Sequence, residues 1–154
     1  MDEIMSHLDE FRRIANDPGV LPFIAPGRPS VNTDHYFRSP GNVVVRDSDG
    51  AVLFVALADD WYEGHFLYTK RKRGRAALHF SRHALRVLFD ERGAKGVIGV
   101  VDVRNKSARY MSRAIGCKPR GRSVDYYGRS CIEYVLERAS WEASLEALSR
   151  ASAA

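Results

Sequence analysis

Five basic residues fall within six positions of the chain, interrupted by a glycine, directly before a stretch with helical periodicity. They are Lys70, Arg71, Lys72, Arg73 and Arg75, with Gly74 among them. The first N–H groups of a helix lack intrahelical partners and carry the positive end of its dipole. A glycine there removes the side chain that would keep an anion away. The spacing alone is compatible with a solvated basic turn, a compact phosphate group or a nucleic-acid surface. Of the two ligands, a compact diphosphate suits it better than a duplex, because one helix end gathers only a few donors.

Other reactive residue types are sparse and poorly spaced for metal or thiol chemistry. His79 and His83 lie one helical turn apart, but the sequence offers no evident third ligand, so we expect no metal site. Cys117 and Cys131 are too far apart for a metal knuckle and too few for a disulfide framework. We expect both cysteines to pack in the interior.

The bulk composition is that of a globular protein with an anionic partner. The 154 residues suffice for one domain, and the net charge is +5. No apolar run approaches the roughly 18 residues of a membrane span, so no membrane partner is expected. The acidic start, Met1-Asp2-Glu3, does not resemble a targeting segment. We therefore expect a cytoplasmic protein.

Periodicity and turn residues predict a single mixed α/β domain over residues 1–154. An N-terminal helix is predicted within residues 1–20, from Ile4, Leu8, Phe11 and Ile14, and a C-terminal helix within 138–154, capped by Ser140. Residues 21–40 read as an irregular connection with short extended pieces. Between these lie strands at 43–45, 51–57, 61–68 and 97–103, helices at 74–92 and 105–115, and a hairpin of 123–127 with 130–136. The strand at 97–103 is apolar on both faces, which predicts a central, doubly covered position.

Two motifs in this order resemble those of the GCN5-related N-acetyltransferase (GNAT) superfamily. Arg71-x-x-Gly74-x-Ala76 is similar to the family's pyrophosphate loop. Asn105, Ala108 and Gly116 match the spacing of its later helix, with Cys117 where an aromatic residue is usual. The resemblance covers roughly residues 40–136. The stretches WYEGHFLY and RAIGC also resemble small acetyltransferase-like proteins of tailed bacteriophages.

The resemblance implies an α/β fold with a mixed central sheet: antiparallel N-terminal strands, a splayed parallel central pair and flanking helices. It implies acetyl-CoA as cosubstrate and an amine as acceptor, with no metal. The backbone near Phe66, Leu67 and Tyr68, together with Asn105, would hold the pantetheine. The loop amides and side chains would hold the pyrophosphate; these belong to Arg71, Lys72, Arg73, Gly74, Arg75 and Ala76.

The same resemblance indicates which residues would be catalytic. The family often places its general base on the strand before the loop, where Glu63 and His65 share a face by alternation. Glu63 is the expected base; an exposed edge glutamate and a structural histidine are the alternatives. Ser112 occupies the position of the family's tyrosine acid, and a serine hydroxyl is a poor proton donor at neutral pH.

Two rival functions remain open, and Ser112 favours the first. One is an interaction or assembly protein without turnover, for instance in a phage particle, which would place the chain in a virion or host cytoplasm. The other is an acyltransferase directed at nucleic acid, which the net charge favours but the lack of aromatic residues within the basic run does not. The last helix, with Trp141, Leu145 and Leu148, is predicted to dock within the chain or across a homodimer.

Overall fold

The computed structural model describes residues 2–153, with side chains from residue 7 onward; the packing predicted for the Ile4 side chain lies outside the described side chains. The helices are α1 (Asp2–Ala15), α2 (Leu21–Ile24), α3 (Asp34–Arg38), α4 (Arg75–Arg86), α5 (Lys106–Ala114) and α6 (Arg138–Ala153). The strands are β1 (Val43–Arg46), β2 (Gly50–Ala56), β3 (Trp61–Tyr68), β4 (Gly96–Asp102), β5 (Lys118–Val124) and β6 (Ser130–Glu137).

The strands form one sheet in the order β1-β2-β3-β4-β6-β5. Every neighbouring pair is antiparallel except β3 and β4, which run parallel. Their pairing extends only from Trp61 opposite Gly96 to Glu63 opposite Ile98, and the strands diverge beyond it. The predicted fold class, a mixed sheet with a splayed parallel central pair and flanking helices, is confirmed.

Apolar side chains cover the two faces of the sheet in separate clusters. On one face, Phe11 and Ile14 of α1 pack against Leu53 and Leu67. On the other face, α4 and α6 pack against the sheet, where Trp141 stacks on the Phe89 ring with centroids 5.6 Å apart. Burying the apolar stripe of each helix against the sheet is the main source of stability for this layered arrangement.

Three of the predicted helical and irregular segments require correction. Residues 21–40 contain the short helices α2 and α3 rather than extended pieces. The last helix begins at Arg138, whose N–H donates to the Lys95 carbonyl, so Ser140 is not its cap. The helix predicted over 74–92 is α4 followed by a π-helical turn at Val87–Glu91.

Two of the predicted strands also differ from the structure. The strand β4 is central but not doubly covered, because Val100 is 40% exposed. The first strand of the closing hairpin is β5, Lys118–Val124, rather than 123–127. Every residue of β5 is exposed, so this edge strand lacks the apolar alternation that would have revealed its start.

The start of the parallel pair depends on a close contact between a glycine and an indole. A Cβ added to Gly96 would collide with the six-membered ring of Trp61, which lies directly across the pair. The indole therefore uses the space that a side chain at residue 96 would need. This contact fixes where β3 and β4 meet and so where they begin to separate.

Gly96→Ala should lower the free energy of unfolding by about 1–3 kcal/mol, because the added methyl overpacks against the indole. In a Trp61→Ala background the same substitution should cost less than half as much, since the colliding ring is gone. Urea unfolding of the four proteins measures both values. An equal cost in the two backgrounds would contradict this account of the contact.

Candidate functional site

A cavity of about 1320 Å³ opens where β3 and β4 separate. It runs between the unpaired parts of the two strands and reaches the start of α4 and one side of α5. Of the predicted site residues, the structure brings together at its wall Glu63, Phe66, Leu67, Tyr68, Arg73, Gly74, Asn105 and Ser112. The remaining predicted residues, Arg71, Lys72, Arg75 and Ala76, lie in or beside the basic loop and are not part of this wall.

Gly74 gives the cavity access to the N-terminus of α4. Its φ of 59° and ψ of −126° lie in a region that only glycine occupies without strain. A Cβ at this position would meet nothing within 4 Å. The first helical hydrogen bond runs from the Leu78 N–H to the Gly74 carbonyl, which leaves the amides of residues 75–77 without intrahelical acceptors. The helix start thus presents open space and unpaired donors to an anion.

The basic loop is held by two of its own residues. The Lys72 N–H donates to the Thr69 carbonyl, and its ammonium bonds Asp47 at 2.5 Å while lying 4.8 Å from the centre of the Phe80 ring. Arg73 donates to the Gly19 carbonyl at 3.3 Å, linking the loop to the segment before α2. Lys72 therefore supports the loop, and the exposed cations around it supply the charge.

The helix α5 uses two predicted site residues to shape its first turns. Asn105 is its N-cap, and its side-chain oxygen accepts from the Ala108 N–H at 3.1 Å. The Ser112 hydroxyl donates to the Ala108 carbonyl at 2.9 Å. The serine proton is thus directed into the helix backbone, and the hydroxyl is not poised to give it to a group in the cavity.

Glu63 and His65 form a hydrogen-bonded pair at the wall of the cavity. Their side chains share one face of β3, as alternation predicted, and Nε2 of His65 lies 3.2 Å from Oε1 of Glu63. The pair is accessible, with 34% of the Glu63 side chain and 41% of the His65 side chain exposed. The hydrogen bond from His65 lowers the pKa of the Glu63 carboxyl, against the opposing effect of burial. The carboxylate is therefore ionised at neutral pH and oriented toward the imidazole.

Arg129 is a site residue that sequence reasoning missed. It lies after the β5–β6 turn, where its guanidinium bonds Asp125 at 2.7 Å and the Phe23 carbonyl at 2.8 Å. These bonds tie the hairpin to α2, which is distant in sequence but lines the same cavity. The spacing of Asp125 and Arg129 signalled a local pair across the turn, whereas the bond to Phe23 depends on tertiary structure and left no sequence signal.

Cys117 also lines the cavity, and burial raises the pKa of its thiol to about 12. It is protonated at neutral pH and is a poor nucleophile. Within residues 2–153, no cluster of three or more histidine, cysteine, aspartate or glutamate side chains is arranged to hold a metal ion. In the same range, no helix combines the length and apolarity needed to cross a membrane.

Comparisons with known proteins address the fold. The sequence matches no protein-family model and no curated protein. A crystal structure of a protein assigned as an acetyltransferase from T. thermophilus is similar, with a TM-score of 0.68 and 24% identity over 93% of this chain and 88% of that one. A spermidine N-acetyltransferase variant from Vibrio cholerae has a TM-score of 0.68 at 13% identity, over 88% of this chain and 92% of that one.

A third solved structure has a different acceptor. It is the ribosomal-protein-S5-alanine acetyltransferase from Vibrio fischeri, with a TM-score of 0.54 and 12% identity over 60% of this chain and 56% of that one. All three pair the GNAT fold with an acetyltransferase name. At these identities the likeness establishes architecture, not activity. The chain has the fold of the GCN5-related N-acetyltransferases.

Proposed function

We propose that the protein transfers an acetyl group from acetyl-CoA to a primary amine. One observation carries the proposal: a continuous cavity in the β3–β4 splay joins the anion-accepting start of α4 to the Glu63–His65 pair. A cosubstrate with a diphosphate at one end and a thioester at the other fits such a cavity. The named acceptors of the fold neighbours, spermidine and a protein alanine, are also amines.

In this proposal the chain holds acetyl-CoA at three places. The amides of residues 75–77 and the cations Arg71, Arg73 and Arg75 bind the diphosphate, while Lys72 fixes the loop. The unpaired edge of β3 from Phe66 to Tyr68 bonds the pantetheine amides. Asn105, whose oxygen caps α5, offers its side-chain N–H groups to the same arm.

The reaction is direct attack by the amine nitrogen on the thioester carbonyl carbon. A carbon–nitrogen bond forms, the carbon–sulfur bond breaks, and the coenzyme leaves as a thiolate. His65 accepts the proton that the nitrogen loses, and Glu63 acts as the positioning residue that stabilises the resulting imidazolium. This refines the sequence-based expectation that Glu63 itself is the base. A backbone N–H on the β3 edge stabilises the developing negative charge on oxygen.

Turnover tests the proposal directly. Purified protein with acetyl-CoA should bind the cosubstrate and release thiol when amines are added, as followed by calorimetry and a thiol reagent. A protein that binds acetyl-CoA but releases no thiol with any amine of a broad panel would refute acetyl transfer and favour the assembly alternative. Absence of acetyl-CoA binding would refute the whole assignment.

Gly74→Asp should weaken coenzyme A binding by at least about tenfold more than Gly74→Ala does, as measured by calorimetry. Both variants introduce a Cβ at a positive φ and share that strain. Only the aspartate adds a negative charge where the diphosphate would lie. Equal affinities for the two variants would show that no anion binds at the start of α4.

The kcat/KM values of two variants distinguish the roles of His65 and Glu63. His65→Gln should lower kcat/KM by about a hundredfold or more, because it removes the group that accepts the proton from the amine. Glu63→Gln should retain more activity, because the neutral amide oxygen can still accept the hydrogen bond that orients the imidazole. If His65→Gln retains the wild-type kcat/KM, another group is the base.

Ser112→Ala should change kcat less than about threefold, because the serine proton is already donated to the Ala108 carbonyl and general acid catalysis is typically worth 10²–10⁴-fold. The measurement is kcat at saturating acetyl-CoA, with calorimetry confirming unchanged binding. A loss of a hundredfold or more with intact binding would assign the serine a direct role in protonating the thiolate.

A further inference from the structure

Exposed apolar side chains from several elements line the cavity. Among the described residues, eight large apolar side chains are exposed, and five of them line this one cavity. One of the five, Val124, lies opposite Ser130 in the sheet, whereas Val100 lies opposite Glu133, so these two side chains point to opposite faces. We call the other four residues the apolar mouth: Phe23, Val100, Tyr126 and Tyr127. Exposure reaches 52% for Phe23 and 85% for Tyr126, and exposed apolar side chains around an opening mark a place where another molecule binds.

The apolar mouth is assembled from three separate elements, which argues for a built surface rather than chance exposure. Phe23 belongs to α2, Val100 to β4, and Tyr126 and Tyr127 to the turn that follows β5. Arg129 joins two of these elements by its bond to the Phe23 carbonyl, and its guanidinium lies 5.5 Å from the centre of the Tyr127 ring. The backbone of Phe23 and the ring of Tyr127 are therefore held by one largely buried cation.

Val100 connects the apolar mouth to the proposed catalytic pair. Glu63 lies directly opposite Ile98 in the parallel register, so their side chains point to the same face of the sheet. Val100 follows Ile98 by two residues and shares that face. An acceptor that contacts the apolar mouth therefore lies on the side of the sheet from which Glu63 and His65 are reached.

The charges around the cavity limit how many positive groups an acceptor can carry. Three carboxylates line it in the described part of the chain: Glu63, Asp102 and Asp125. Asp102 is bonded by Arg104 at 3.1 Å, which lowers its pKa, and Asp125 by Arg129 at 2.7 Å. Of the three carboxylates, Glu63 is paired with a histidine, His65, and not with an arginine. One ammonium has a complementary partner, whereas further cationic groups would meet neutralised carboxylates.

We propose that the acceptor is an arylalkylamine: a single primary amine carried on a flat aromatic body. The aromatic ring lies in the apolar mouth between Phe23 and Tyr126, where face and edge contacts with their rings stabilise it. The amine extends along Val100 to the Glu63–His65 pair. This assignment rests on the proposed acetyl transfer and names the class of acceptor for that same site.

Phenethylamine, spermidine and ethanolamine are the probes that separate the acceptor classes. With the full chain and saturating acetyl-CoA, kcat/KM for phenethylamine should exceed that for each of the other two by about tenfold or more. Spermidine presents several positive charges and no ring, and ethanolamine one charge and no apolar body. Equal or faster turnover of spermidine or ethanolamine would overturn the proposal.

Truncation of the apolar mouth tests the same contacts residue by residue. Phe23→Ala and Tyr126→Ala should each raise KM for phenethylamine about fivefold or more while leaving kcat and acetyl-CoA affinity near wild type, since both rings contact the acceptor body alone. Tyr110→Ala is the matched control, because Tyr110 is 72% exposed but does not line the cavity. Phe23 and Tyr126 variants indistinguishable from the Tyr110 variant would overturn the assignment.

Calorimetry separates this inference from acetyl transfer itself. Phenethylamine should bind the coenzyme A-loaded protein, and Phe23→Ala and Tyr126→Ala should weaken that binding whereas Tyr110→Ala should not. This result without turnover would support the arylalkylamine site and refute the transferase. Turnover of other amines with no phenethylamine binding would leave the transferase standing and refute the arylalkylamine site.

Discussion

The short parallel pairing of β3 with β4 is the constraint on which the rest of the structure depends. Three residue pairs hold the strands together, and the Trp61 indole against Gly96 fixes where they meet. Beyond Glu63 each strand keeps its other neighbour, β2 or β6, so the sheet remains whole while its centre opens. Backbone groups at this opening lack strand partners, and buried polar groups need partners. The fold thereby creates a polar edge suited to an amide-bearing arm.

The opening gains its chemical character from elements on both sides. The start of α4 brings positive potential through Gly74 at one end, and β3 brings a carboxylate–imidazole pair at the other. Arg129 then joins α2 to the β5–β6 hairpin on the side proposed for the acceptor. The groups proposed to bind the anion, to transfer the proton and to contact the acceptor are thus separated along one cavity. In the proposed reaction, the cosubstrate and the acceptor would enter the cavity from different sides.

Much of this architecture can be predicted from the sequence, because the local sequence signals and the tertiary structure agree for most elements. The bounds of β3 follow from a run of aromatic residues with high strand propensity, and α5 begins within one residue of its predicted start at Asn105. The prediction that both faces of β4 are covered was wrong, because residues that line a cavity can be as apolar as buried ones. Segment 21–40 was mispredicted because distant partners such as Arg129 stabilise its short helices. Phage origin, oligomeric state and compartment stay predictions.

Amide chemical-shift mapping by nuclear magnetic resonance during a titration with coenzyme A tests the central claim most directly. If the splay is the cosubstrate site, the largest shifts should fall on Gly64–Tyr68 of β3, on Gly99–Val101 of β4 and on the helix start at Gly74–Ala77. Each of these three groups includes residues that line the cavity. Shifts confined to other surfaces, or saturating binding that leaves the β3 and β4 amides unchanged, would contradict the account.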